Sequence, residues 1–161
     1  MDHPFLPHYF RNFRRLYSCE LQLMSFLPEL KSSTGSKHLR EEIEDLVGFC
    51  RERRNTLELL ALSHGFSAAG DECSEMATLI NTEWKALQKG YAADFQNDFV
   101  SDLCEALHRK LIQDYCIARS LAAKVDFADD VKGFDAVIDR LIEAFPEVWS
   151  RTGRSFSAVA A

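Results

Sequence analysis

Glycine and proline are scarce in this sequence, which has seven Gly and four Pro among 161 residues. Because these residues form the tight turns of sandwiches and barrels, their scarcity argues against an all-β fold and favours long helices. No segment alternates apolar and polar residues for the length of a strand. A composition of 47% hydrophobic and 27% charged residues also excludes an intrinsically disordered chain. We therefore expect an all-α domain.

An excess of positive charge is also absent, since the formal net charge is −6 and the pI is about 5.4. Nucleic-acid binding needs a clustered basic surface, so we expect no nucleic-acid partner. The one basic cluster, Arg11, Arg14 and Arg15, is interleaved with Phe10 and Phe13. This pattern is typical of a helix whose arginines face solvent and whose aromatic residues face the core.

The chain contains no apolar run near the ~18 residues of a membrane span and no basic segment leading into an apolar stretch. Its five cysteines are odd in number and form no C-x-x-C pair. We expect a cytoplasmic protein with no membrane partner, in which the cysteines are inert buried thiols rather than disulfides or zinc ligands. They are Cys19, Cys50, Cys73, Cys104 and Cys116.

Apolar residues recur at helical spacing in five segments separated by Gly, Ser or Asp-rich turns. The predicted helices span residues 9–30, 37–63, 74–89, 94–125 and 131–145. Four are long, and the short one lies in a crossover between two hairpins, which predicts a ferritin-like four-helix bundle. The domain is expected to cover 1–150, with an extended lead-in over the first ten residues, Trp149 packed after the last helix, and a disordered tail over 151–161.

Glu20 is unusual because it lies on the inward apolar stripe of the first predicted helix. A buried carboxylate is costly unless a cation, a hydrogen-bond donor or its own proton compensates it. In ferritin-like di-iron proteins, metal ions provide this compensation through Glu and Glu-x-x-His ligands. The sequence has one such match, Glu105 to His108, which also fits a surface pair or a core histidine. The candidate metal ligands are Glu20, Glu105 and His108, with Asp135 or Asp139 as further donors.

Several segments resemble the YciE/YciF-type bacterial stress proteins. Residues 16–30 (LYSCELQLMSFLPEL) are similar to the family's opening helix, LYDAEKQLLKALPKM. Residues 73–76 (CSEM) resemble its C-x-x-M motif, and Tyr115 with residues 119–122 resembles GYGTLRALA. The similarity extends over about 12–149. It implies a dimeric ferritin-like bundle with a dimetal centre and a role in stress response.

The family's ligand positions are only partly kept. Glu20 matches the first-helix glutamate, but the carboxylate position of the second helix falls on Phe49 and the following His/Gln position on Arg53. The motif EHYE of the third helix falls on residues 108–111 (HRKL), which replaces one ligand by His and the other by Leu. The acidic pair of the last helix falls near residues 133–134 (GF). The resemblance therefore implies a largely degenerate metal site.

Two hypotheses follow for the function. In the first, Arg53 or Arg54 pairs with Glu20 in place of metal, and the protein is a non-catalytic dimer without a cofactor that has a structural or partner-binding role in stress response. In the second, Glu20, Glu105 and His108 bind iron or manganese for oxidase or peroxide-handling chemistry. The first predicts no enzymatic activity.

Overall fold

A computed structural model describes residues 3–90 and 92–144, and these form five α-helices without a strand. The all-α fold class is confirmed. The helices are α1 (Leu6–Ser32), α2 (Lys37–Ser63), α3 (Ser74–Leu87), α4 (Ala93–Lys124) and α5 (Ala128–Ala144). Trp149 and the predicted tail lie outside the described residues.

Two helix starts differ from the sequence prediction. α1 begins at Leu6, so the expected extended lead-in is too long; Pro7 is accepted because the first turn of a helix needs no N–H donor there. α5 begins at Ala128 instead of Val131, so the predicted turn over 126–130 is also too long. Asp126 makes the short connection possible with a φ of 60°, a conformation that Asp tolerates better than most residues.

The predicted ends of α2 are confirmed. The Ser36 hydroxyl accepts a hydrogen bond from the backbone N–H of Leu39 at 3.3 Å, as an N-cap should. After Ser63 the chain turns at Gly65, which has a φ of 70° that a side chain would disfavour.

Contacts along the helices give the topology. α1 runs antiparallel to α2, since Tyr17 contacts Glu58 near one end and Lys31 contacts Glu44 near the other. α1 is also antiparallel to α4, and α4 is antiparallel to α5. Consequently α2 and α4 run in the same direction, and the connection that holds α3 must cross the length of the bundle. This is the predicted bundle with an extra helix in its crossover.

The core runs along the inward faces of the four long helices. Among its largest fully buried side chains are the aromatic residues Tyr9, Phe13, Tyr115 and Phe134. Five polar residues of the described chain are buried with them: Glu20, Thr34, Arg53, His108 and Asp130. None of the helices described here is long and apolar enough to span a membrane.

Candidate functional site

Glu20 occupies the centre of the bundle because α1 packs against both α2 and α4. Its side chain lies between Leu16 and Leu23, one turn away on either side, and is fully buried. A carboxylate at this depth is stable only if protein groups or a bound cation compensate it.

Arg53 of α2 provides that compensation. Its Nε donates to Glu20 Oε1 at 2.7 Å and its Nη2 donates to Glu20 Oε2 at 3.2 Å. This two-pronged geometry is the strongest pairing that a guanidinium and a carboxylate make. The predicted pairing with Glu20 is therefore confirmed for Arg53, whereas Arg54 forms a partly exposed ion pair with Glu58 at 3.7 Å.

Tyr115 and Cys50 complete the Glu20 cluster, which we define as Glu20, Arg53, Tyr115 and Cys50. The Tyr115 hydroxyl donates to Glu20 Oε1 at 3.0 Å, and Arg53 Nη2 lies 3.1 Å from Cys50 Sγ. Burial, followed by the Glu20 charge, raises the pKa of both the Tyr115 hydroxyl and the Cys50 thiol. Both groups stay protonated at neutral pH, so the cluster contains one negative and one positive charge.

Arg53 remains cationic despite its depth. Burial lowers the pKa of its guanidinium, but Glu20, Cys50 and Tyr115 together raise it by more, and the net pKa is above the usual value. The Glu20 cluster is therefore electrically neutral without a metal ion. Chemically, its thiol and its phenol are both protonated, so neither provides an ionised nucleophile at neutral pH.

His108 lies beside this cluster on α4 with its own partner. Its Nε2–H donates to the backbone oxygen of Leu141 on α5 at 2.5 Å, which joins the two helices. Burial lowers the pKa of His108 to about 4, and the nearby Arg53 charge also lowers it. His108 is therefore a neutral imidazole at pH 7.

Two of the remaining predicted donors are paired with cations, and the third, Asp139, is exposed on α5. Glu105 accepts from Arg109 at 2.7 Å one turn along α4, and Asp135 accepts from Arg119 at 2.7 Å. Within residues 3–90 and 92–144, no group of three or more His, Cys, Asp or Glu side chains is arranged to hold a metal ion. Two divalent cations need several anionic ligands around a shared point, and this set of donors does not fit them.

A groove between α2 and α5 leads from the surface to the cluster. Its cavity volume is about 190 Å³, and its walls are mostly apolar, with Arg53 and His108 among the lining residues. Phe49 lies on this groove, and the Arg140 guanidinium is 5.6 Å from the centroid of its ring. The YciE/YciF-type proteins have a carboxylate at this position. An aromatic ring therefore occupies the position at which a metal ligand was expected.

Glu20 and Arg53 are predictable from the sequence as a buried pair, whereas the roles of Tyr115 and Cys50 are not. The spacing of Leu111, Tyr115 and Ala118 on α4 places the tyrosine on the buried face, and this pattern was visible. The pattern does not predict which turn of α4 lies opposite Glu20 on α1, because that depends on the path of the crossover.

The sequence matches the family described as a domain of unknown function, DUF892, over residues 6–141. The chain belongs to this family. Its fold is similar to that of the Escherichia coli stress protein YciF, with a TM-score of 0.84, 13% identity, and coverage of 92% of this chain and 94% of that one. YcfI from Rhodopseudomonas palustris, for which a structural role has been suggested, is equally similar, with a TM-score of 0.84, 14% identity, and coverage of 89% and 92%. No curated protein matches the sequence.

Proposed function

We propose that this protein is a non-catalytic ferritin-like bundle in which the Glu20 cluster replaces a dimetal centre, and that it has a structural or partner-binding role in stress response. The observation that carries the proposal is the fully buried, two-pronged pair between Arg53 and Glu20. The guanidinium supplies the positive charge that metal ions supply in di-iron relatives of this fold.

The energetics of the pair support this proposal. A metal ion that bound Glu20 would have to displace Arg53 and leave its guanidinium buried without a partner. An uncompensated buried charge costs about 3–5 kcal/mol. No other member of the Glu20 cluster provides a negative charge that could offset that cost, because Cys50 and Tyr115 are protonated.

The two structural neighbours support the biological part of the proposal. One is a stress protein and the other has a suggested structural role. A stress-linked scaffold or binding protein is the role that agrees with both descriptions and with the charge balance of the Glu20 cluster.

Metal content tests the proposal. We would purify the untagged full-length protein, incubate it anaerobically with Fe²⁺ or Mn²⁺, desalt it, and measure the metal per chain by elemental analysis. Glu20→Ala is compared with Glu29→Ala, which removes an exposed carboxylate from the same helix. We expect no stoichiometric metal in any of the three proteins.

The alternative function, an iron- or manganese-binding protein with oxidase or peroxide-handling activity, predicts the opposite result. About two metals per chain, lost in Glu20→Ala and kept in Glu29→Ala, would overturn the proposal.

The same proposal includes a homodimer. Leu59 and Leu62 of α2 are 67% and 74% exposed, and their spacing of three places them on one face of the helix. A second copy of the chain would cover these side chains. Sedimentation velocity of the wild type and of a Leu59→Glu/Leu62→Glu variant tests this: we expect a dimer that the double substitution converts to monomer. An unchanged dimer would assign the interface to another face.

A further inference from the structure

Two cysteines outside the Glu20 cluster lie on the same cavity, although 54 positions separate them in the sequence. Cys19 of α1 and Cys73, the residue that precedes α3, line the same surface cavity, and each affects the pKa of the other. Two further hydrogen bonds fix the start of α3 on α1: the Cys73 N–H donates to Ser18 Oγ at 3.0 Å, and Gln22 Nε2 donates to the Cys73 oxygen at 3.1 Å. The crossover thus holds Cys73 beside the turn of α1 that carries Cys19.

Both sulfurs line a polar surface cavity of about 310 Å³. Charged residues from three helices line it as well: Arg15, Glu75, Lys110 and Asp114. Cys73 is 7% exposed and Cys19 is 1% exposed, so a small molecule in the cavity reaches Cys73 first. Lys110 Nζ lies 3.0 Å from Asp114 Oδ2, and Asp114 Oδ2 lies 4.0 Å from Cys19 Sγ.

The surroundings of Cys73 favour its thiolate. The neighbouring Cys19 thiol lowers the pKa of Cys73 to about 6, and the Met76 backbone N–H and the Lys110 ammonium act in the same direction against burial and the Asp114 charge. The other thiols behave differently. Burial raises the pKa of Cys50, Cys104 and Cys116. One reactive thiolate beside one protonated thiol is the arrangement that redox-active cysteine pairs need.

We propose that Cys73 and Cys19 are a peroxide-reactive pair that forms an intramolecular disulfide, with a small hydroperoxide as the oxidant. In the first step the Cys73 sulfur attacks the terminal oxygen of the hydroperoxide and the O–O bond breaks. Cys73 becomes a sulfenic acid, and the leaving oxygen takes a proton to depart as an alcohol, or as water from hydrogen peroxide. The Lys110 ammonium lies in the same cavity and stabilises the charge on the leaving oxygen.

In the second step the Cys19 sulfur attacks the Cys73 sulfur, and the S–O bond of the sulfenic acid breaks. Hydroxide leaves and combines with the Cys19 proton to form water, so two thiols lose two electrons and one hydroperoxide gains them. Asp114 Oδ2, 4.0 Å from Cys19 Sγ, accepts the Cys19 proton. This chemistry goes beyond the proposed function and is independent of any metal at Glu20.

Peptide mapping tests the pair in the full-length protein. Trypsin cleaves after Lys and Arg, and these residues place the five cysteines in five different peptides. In chain order the peptides are 16–31, 41–51, 55–85, 90–109 and 111–119. The reduced protein is treated with about one equivalent of hydrogen peroxide, its free thiols are blocked with an alkylating reagent, and the digest is analysed by mass spectrometry.

We expect peptide 16–31 linked to peptide 55–85, with Cys73 consumed at least about tenfold faster than the cysteines of the other three peptides. A Cys116→Ser control should form the same link. In Cys19→Ser the link is lost, and dimedone should label peptide 55–85 as a trapped sulfenic acid. The proposal is overturned if the wild type forms no such link, or if another cysteine is oxidised first. The wild-type measurement decides the question even if a variant fails to fold.

Discussion

At the scale of single residues, the charge of Glu20 depends on one partner. Replacing Arg53 by Met should destabilise the fold by about 3–5 kcal/mol, because the carboxylate stays buried and loses both guanidinium donors. Urea unfolding measures the difference. Arg54→Met is the matched control: its ion pair with Glu58 is partly exposed, and we expect a loss below about 1 kcal/mol.

A double variant separates the lost pair from lost packing. Glu20→Leu combined with Arg53→Met removes both charges, so it should be more stable than Arg53→Met alone. If the double variant is the less stable of the two, the cost of the single substitution lies in packing, and the role assigned to the ion pair is wrong.

His108 gives a second residue-scale prediction, which concerns pH. Burial lowers its pKa in the folded protein to about 4, from 6.5 for an ordinary histidine. The unfolded chain therefore takes up the proton first as the pH falls, and the stability present above pH 6.5 is lost progressively down to pH 4, by up to about 3 kcal/mol. Unfolding curves across this range measure the loss.

Two histidine variants isolate that contribution. His108→Gln should flatten the decline in stability between pH 6.5 and 4, whereas His38→Gln changes an exposed residue and should leave the decline as in the wild type. Equal slopes in the wild type and His108→Gln would contradict the assignment.

At the scale of helices, a buried polar cluster joins α1, α2 and α5 at one end of the bundle. Asp130 of α5 is buried, accepts a hydrogen bond from the Tyr9 hydroxyl, and lies 2.8 Å from His64 at the end of α2. Tyr9→Phe should destabilise the fold by about 1–3 kcal/mol, because it leaves a buried carboxylate short of a donor.

The chain offers a closely matched control for this substitution. Tyr17, two turns along α1, donates to Glu58 at 2.8 Å in an exposed setting, and water can replace that donor. Tyr17→Phe should therefore cost less than about 1 kcal/mol. Thermal unfolding of both variants compares them, and equal losses would show that the buried cluster adds nothing beyond a surface hydrogen bond.

Helix positions were largely predictable from the sequence, and their exact starts were less so. Apolar periodicity and two end residues, Ser36 and Gly65, located α2, since each of these residues has a clear local role at a helix terminus. The start of α5 was misplaced because Asp126 to Asp130 has the composition of a loop. In the structure Asp130 lies in the first turn, where its carboxylate suits both the helix dipole and the Tyr9 hydroxyl.

At the scale of the whole molecule, the bundle with its crossover was predictable, whereas the contacts made by the crossover were not. Glu20 and Arg53 lie on consecutive helices joined by a short turn, so helical spacing was enough to pair them. Cys19 and Cys73 meet only because residues 64–73 return along α1 to the start of α3. The sequence alone predicts inert buried thiols here, since no spacing rule connects positions separated by a whole hairpin.

The paired charges at the centre of the bundle also constrain how the sequence can diverge. Losing either Glu20 or Arg53 alone leaves the other charge buried without its partner. A lineage that exchanges the arginine for bound metal, or the reverse, must therefore change several positions nearly together. Relatives without an arginine at the Arg53 position should therefore carry either an uncharged residue at the Glu20 position or additional carboxylates at the Phe49 and Leu111 positions. Intermediate sequences should be rare, which would divide such bundles into two separate groups instead of a continuum.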